Sequence, residues 1–383
     1  MLAEPTIVFA DLKTQYRTLK DDIDGAIQTV LDHGQFIMGP EVSIFEKELA
    51  EHCGSAHSVS CGSGTDAILM ILMAEGVGPG DAIFWPSFTF TATAEVVLLL
   101  GATPVFVDVD RDDFNIDCGS LQMLIDQTRA EGKLRLRGIL GVDLFGQPAD
   151  YHALAEIAQK EDMMLWADAA QSFGGAISSR KVGVLARATA VSFFPAKPLG
   201  CYGDGGAILT DSEDLASALI SIRAHGKGRG KYDIDRVGLN SRLDTIQAAI
   251  LRTKLVHFEA ELERRELVAK QYDKALMGLV EVPTRRQGRS SAWAQYTIKV
   301  PAERRNLLAD ALKVRGIPTA VYYPRPMHLQ NAYISFGGGA GSLPNSEFLS
   351  NAVLSLPIHP FMDAQQVKYV TEAFALELNA NTT

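Results

Sequence analysis

Between residues 57 and 194, short and continuously apolar runs alternate with stretches of helical periodicity, and no other property of this chain constrains its fold so tightly. Strands are expected over 57–61, 82–85, 104–109, 138–144, 163–167 and 190–194. Helices are expected over 67–75, 92–100, 121–130 and 151–161. A half-exposed strand alternates apolar and polar residues; a continuously apolar one is covered on both faces. Strands of that kind separated by helices predict an α/β fold, with a mostly parallel central sheet covered by helices. Two helices are expected to precede it. One runs over 11–33, where Leu12, Tyr16, Leu19, Ile23, Ile27 and Leu31 recur at helical spacing and Gly34 is the stop signal; the other covers 41–52.

The alternation fades after about Thr210. A long helix is expected over 241–266, followed by a smaller α+β unit with strands at 294–300 and 316–323 and a helix at 303–315. At 383 residues the chain exceeds one typical core. The division expected is a large domain over 1–250 and a small C-terminal domain over 251–383.

A net charge of -10 argues against nucleic acid as a general partner. Cys53, Cys61, Cys118 and Cys201 lack metal-ligand spacing and read as reduced thiols. The first residues have neither the basic start nor the apolar stretch of a signal peptide. The apolar runs are too short to span a bilayer. A cytoplasmic protein with no membrane partner is expected.

The chemistry concentrates around one lysine. Ser192-Phe193-Phe194-Pro195-Ala196-Lys197-Pro198-Leu199-Gly200 leads from an apolar strand into the glycine-rich Cys201-Tyr202-Gly203-Asp204-Gly205-Gly206. Burial lowers a lysine's pKa, and a neutral amine condenses with a carbonyl. The aldehyde of pyridoxal phosphate (PLP) is the obvious partner. Asp168 ends another apolar strand, where α/β sheets place ligands. It reads either as a helix N-cap or as the partner of a PLP pyridine nitrogen, with Gln171 in reach of the ring's phenolic oxygen. Gly62-Ser63-Gly64-Thr65-Asp66 opens a helix after a strand, which suits either a plain N-cap or a phosphate. Ser192 could add a hydroxyl to that phosphate. Of the two aromatics in Ser87-Phe88-Thr89-Phe90, Phe90 is favoured as the ring stacked on a flat cofactor. The basic stretch from His225 to Lys231, with Arg229, is either a solvated loop or a collector of anionic substrate.

These blocks resemble the DegT/StrS group of PLP-dependent sugar-nucleotide aminotransferases, of fold type I. The resemblance runs from Phe36-Ile37-Met38-Gly39-Pro40-Glu41 to Ser355-Leu356-Pro357-Ile358-His359-Pro360 and is most specific from Ser192 to Gly206. It implies Lys197 as the Schiff-base lysine, Asp168 as pyridine partner and Gln171 as phenolate partner. It also implies Gly64, Thr65, Asp66 and Ser192 around the phosphate. Asn240 matches an asparagine that reaches the phosphate from a second subunit, so a homodimer with shared sites is implied. The nearest subgroup uses glutamate to aminate the 3-keto group of a UDP-linked N-acetylhexosaminuronic acid, on a route to polysaccharide. Arg229, Arg242, Tyr322 and His328 become substrate-binding candidates. Tyr322-Tyr323-Pro324 stands where that subgroup tends to have His-Tyr-Pro, which leaves open a 3- or 4-keto-6-deoxy sugar nucleotide. Relatives acting as dehydratases carry histidine in place of the lysine, and Lys197 argues against that chemistry. A non-catalytic sensor of the same fold is a further alternative, opposed by Lys197, Asp168 and Gln171 together.

Overall fold

The structure, a computed structural model, describes residues 5–230 and 232–380. Three helices open the chain, α1 (Leu12–Thr18), α2 (Lys20–His33) and α3 (Pro40–Cys53). The single helix expected over 11–33 is divided at Leu19, whose φ of -106° and ψ of 14° leave the helical region. Its side chain is buried, so the break turns an apolar residue inward.

The strands β1 (His57–Cys61), β2 (Asp81–Pro86), β3 (Thr103–Val107), β4 (Arg135–Val142) and β5 (Met164–Asp168) follow the sequence pattern to within a few residues. So do their helices α4 (Gly64–Ala74), α5 (Ala92–Leu99), α6 (Cys118–Glu131) and α7 (Tyr151–Lys160). Two short strands, β6 (Ala176–Ile177) and β7 (Arg180–Lys181), precede β8 (Ala188–Ser192). The alternation does not stop there: β9 (Gly206–Thr210) and α8 (Glu213–Ile222) continue it, with Ser212 capping α8 through the Leu215 N–H. One seven-stranded sheet results, ordered β1-β9-β8-β5-β4-β2-β3. Only β9 runs against its neighbours; the other pairings within the sheet are parallel.

Both faces of the sheet are covered, which is why its strands read as continuously apolar. On β2, Ile83 and Trp85 join a core with Ile68 and Ile71 of α4, Val96 of α5 and Leu219 of α8. Ala82 and Phe84 turn to the opposite face, towards Leu121 and Ile125 of α6 and Leu154 of α7.

Helix α9 (Thr245–Leu276) is 32 residues long, well past the expected end at 266. Its charged stretch is not a terminus, because Glu261 and Arg265 lie on its buried face. The second half of α9 enters a separate core with β11 (Tyr296–Lys299), α10 (Arg305–Val314), β12 (Val353–Leu356) and α12 (Ala364–Ala380). The short β10 (Arg289–Ser290) pairs with β6, and α11 (Pro344–Ala352) leads into β12. The strand expected over 316–323 does not form. Only Ala320 bridges, to Ser355, because prolines at 318 and 324 remove ladder donors on either side. The irregular segment instead carries Tyr322 and Tyr323 towards the sheet edge. Among the described residues, no helix is long and apolar enough to cross a membrane.

Candidate active site

The C-terminal ends of β4, β5 and β8 and the loops after β1 and β2 meet at one edge of the sheet, where open α/β sheets bind ligands. They enclose a cavity of 440 Å³ lined by Lys197, Asp168, Gln171, Ser192, Thr65 and Phe90, among others. Register explains the convergence: Asp168 lies opposite Ala190 on the parallel strand β8, two residues before Ser192.

Lys197 stands in the turn after β8, where its N–H donates to Phe194 O at 2.8 Å and Cys201 N–H closes on Phe193 O at 2.8 Å. Its side chain faces the cavity. Burial lowers its pKa, and the Asp168 carboxylate opposes that shift. Asp168 is itself buried, and desolvation raises its pKa against the Ala170 N–H and the Lys197 charge. The Ala170 N–H donates to its Oδ1 at 3.0 Å.

At the start of α4 the cap is Ser63, whose hydroxyl accepts the Asp66 N–H at 3.0 Å. The N–H groups of Gly64 and Thr65 precede the first helical bonds and point outward, as helix N-termini do. Gly64 is required by the approach of β8, since a Cβ there would come within 2.7 Å of Ser192 Cβ. Asp66 departs from its expected place at the phosphate. Its carboxylate turns away from the cavity and accepts from Ser241 Oγ at 2.7 Å.

The Gln171 carbonyl accepts the Phe145 N–H at 2.7 Å, which aims its NH₂ at the Tyr323 hydroxyl 3.3 Å away. Phe90 is 52% exposed and faces the Tyr323 ring at 6.0 Å, while Phe88 is fully buried against Phe145. Tyr322 lines the cavity.

Besides Asp66, four expected residues lie outside it. His328 is completely buried, with Nδ1 2.7 Å from Ser87 Oγ and Nε2 3.2 Å from Glu347. That packing ties two loops together and leaves His328 no face for substrate. Asn240 is exposed and accepts from the Arg242 guanidinium. Arg229 is exposed on its loop. None of Asn240, Arg242 and Arg229 lines the cavity of its own chain.

Sequence reasoning missed Asp143, Asp204, Gln295 and Tyr323 in the cavity wall. Asp143 follows the end of β4 as Asp168 ends β5, the same strand-end signal. It is buried and accepts from Ser172 Oγ at 2.5 Å, Tyr151 Oη at 2.9 Å and Ala149 N at 2.9 Å. Desolvation outweighs those donors and pushes its pKa up to about 7.

The donor set suits PLP. A buried carboxylate can hold a protonated ring nitrogen, a desolvated amine can condense with an aldehyde, and a helix N-terminus beside a serine can hold a phosphate. The glycine at 64 lets that helix start lie directly against Ser192. Residues 17–375 match the DegT/DnrJ/EryC1/StrS aminotransferase family. The chain belongs to that family. This aminotransferase is PLP-dependent, as its relatives are. It is 44% identical to UDP-2-acetamido-2-deoxy-3-oxo-D-glucuronate aminotransferase of Pseudomonas aeruginosa, over 96% of this chain and 99% of that one. It is 39% identical to a dTDP-3-amino-3,4,6-trideoxy-alpha-D-glucose transaminase of Streptomyces venezuelae, over 96% of this chain and 95% of that one. A DegT DnrJ EryC1 StrS aminotransferase from Brucella abortus superposes with a TM-score of 0.94 at 46% identity, covering 96% of this chain and 98% of the other.

Proposed function

We propose that this aminotransferase moves an amino group from glutamate to the 3-keto carbon of a UDP-linked 2-acetamido-hexuronic acid, in the cytoplasm. The observation that carries the sugar is the near full-length likeness to the Pseudomonas aeruginosa enzyme. The likeness to the Streptomyces venezuelae transaminase favours a dTDP-linked 3-keto deoxy sugar as the second reading.

In this reading the Gly64 and Thr65 N–H groups and the Ser192 hydroxyl bind the cofactor phosphate. Phe90 covers one face of the ring, and Gln171 presents its NH₂ to the phenolic oxygen. Bound there, PLP supplies an electron sink for the charge left when a proton departs from the substrate carbon. Asp168 keeps a positive charge on the ring nitrogen. Lys197 would hold the aldehyde end of the cofactor, and its neutral amine would take and return the proton at the substrate carbon. Burial favours the neutral amine that this task requires. Both substrates use one cavity in turn, so the donor's keto acid leaves before the keto sugar enters.

The PLP-loaded protein is expected to be yellow, to bleach with glutamate, and to recover colour with the correct keto-sugar nucleotide. A panel of UDP- and dTDP-linked keto sugars separates the two readings. Colour loss with another amino acid but not glutamate would overturn the donor assignment.

We further propose a homodimer with shared sites. Lys197 is the only cation among the described residues lining the cavity, against Asp143, Asp168 and Asp204. An anionic sugar nucleotide therefore needs positive charge from elsewhere. Arg229 and Arg242, with Asn240, lie outside the cavity of their own chain, on a segment with exposed Ile234 and Val237. Asn240→Ala is expected to weaken PLP binding about ten-fold, the loss of one hydrogen bond to a charged group. Equilibrium titration of the apoprotein measures it, and an unchanged affinity would count against the shared phosphate contact.

A further inference from the structure

The turn that carries Lys197 is gripped from behind by helix α9. Gly200 closes this turn so tightly that a Cβ there would come within 2.4 Å of Pro195 O. Its own carbonyl points away from the cavity and accepts from Lys254 Nζ at 2.6 Å. Lys254 is 2% exposed, and its ammonium lies 4.2 Å from the centroid of the Tyr202 ring. Two helical turns earlier on the same face of α9, Gln247 Oε1 accepts the Tyr202 N–H at 2.8 Å. The helix therefore holds the turn at two points, one neutral and one charged.

A buried ammonium is an expensive donor for a carbonyl. A neutral amide already serves at the first point. What the charge adds is strength, since a charge-assisted hydrogen bond is about twice as strong as a neutral one. We propose that Lys254 is a positioning residue for Lys197: by fixing the Gly200 carbonyl it fixes the turn that aims the catalytic amine. The inference rests on Lys197 being that amine, and does not depend on which sugar is aminated.

Its pH behaviour separates this role from plain packing. Burial pushes the Lys254 pKa down to about 8, with Glu261 and the Cys201 thiol pulling the other way. Tyr202 faces it from the turn, and Tyr16 of α1 lies edge-on behind that ring. Gln15 of α1 holds Glu261 at 2.9 Å. As pH rises through about 8 the folded protein gives up a proton that the unfolded chain keeps to roughly 10.4. The Lys254 contribution to global stability therefore rises over that window. Its grip on Gly200 weakens over the same window. Stability and catalytic alignment move in opposite directions.

Hydrogen exchange of the 193–202 segment, in apoprotein and holoenzyme, reads the alignment apart from activity. At pH 7, Lys254→Met is expected to speed exchange in that segment about ten-fold and to lower kcat by about the same factor, with KM within about two-fold. In the wild type, protection of the segment, corrected for intrinsic rates, should fall between pH 7 and 9. Lys254→Arg stays charged throughout and should abolish that fall. Wild-type exchange in Lys254→Met, or a fall that persists in Lys254→Arg, overturns the proposal. If the methionine variant fails to fold, the arginine comparison decides alone. A failure of glutamate to bleach the cofactor would count against the catalytic reading and leave the exchange result standing.

Discussion

Replacing Lys197 with alanine is expected to lower turnover by at least about 10⁴-fold, or more than about 5 kcal/mol of barrier. In the proposed reading two functions leave with one amine: the covalent attachment of the cofactor and the proton transfer at the substrate carbon. PLP binding should persist, because Asp168, Ser192 and the start of α4 are untouched. The variant should therefore bind PLP without the absorbance of a lysine-linked cofactor. Stability should not fall. The Lys197 pKa is lowered by burial, so at neutral pH the folded apoprotein carries a cost that the unfolded chain does not. That cost is relieved as pH rises towards the unfolded lysine value, and alanine removes it at every pH. Activity within ten-fold of wild type would refute the assignment.

Asp168→Asn is expected to lower kcat by about 10²–10³-fold, or roughly 2.7–4 kcal/mol, the range for removing one preorganised electrostatic partner. An amide keeps the shape of the carboxylate but cannot hold a positive charge on the ring nitrogen. The apoprotein gives an independent reading. Burial raises the Asp168 pKa above 3.8. Between that unfolded value and the raised folded one, the folded apoprotein keeps a proton that the unfolded chain has lost. Stability from this group is therefore full below the unfolded pKa and is lost as pH rises through the folded one. Asparagine removes the loss, so apo Asp168→Asn should match or exceed wild-type stability at neutral pH. PLP reverses the comparison, because its ring nitrogen pairs with the charge. A variant less stable than wild type in the apo form and unchanged in kcat would overturn both parts.

The strands were legible in the sequence because burial on both faces removes polar residues from them, and β1 matches its expected limits at both ends. Strand β9 was hidden, because Gly205-Gly206 reads as the tail of the lysine loop; what makes it a strand is pairing to β1 and β8, a long-range fact. The segment over 316–323 was misread for the converse reason: it is apolar, but its prolines deny it a ladder. In the site, Asp168 and Ser192 were legible because each closes a strand at the ligand edge, and Lys197 because it stands in the glycine-rich turn just after one. Asp143 carries the same mark, directly after β4. The resemblance implied His328 as a substrate residue; only the contacts of Ser87 and Glu347 reveal a buried fastening. Asp66 was placed by its position in a motif, and the direction of its side chain is set by Ser241, 175 residues away.

At about 1.5 Å per residue, α9 is a rod of roughly 48 Å that serves two masters. Its first half grips the Lys197 turn through Gln247 and Lys254. Its second half anchors the C-terminal core through Tyr272, whose hydroxyl donates to Pro357 O, and Arg265, whose guanidinium donates to Trp293 O and Ile358 O. A chimaera that borrows the C-terminal core of a relative with a different sugar preference should therefore be spliced beyond Met277, with the rod inherited whole. A splice near residue 250 would cut the rod between Gln247 and Lys254, and the borrowed core would arrive with the Lys197 turn out of true.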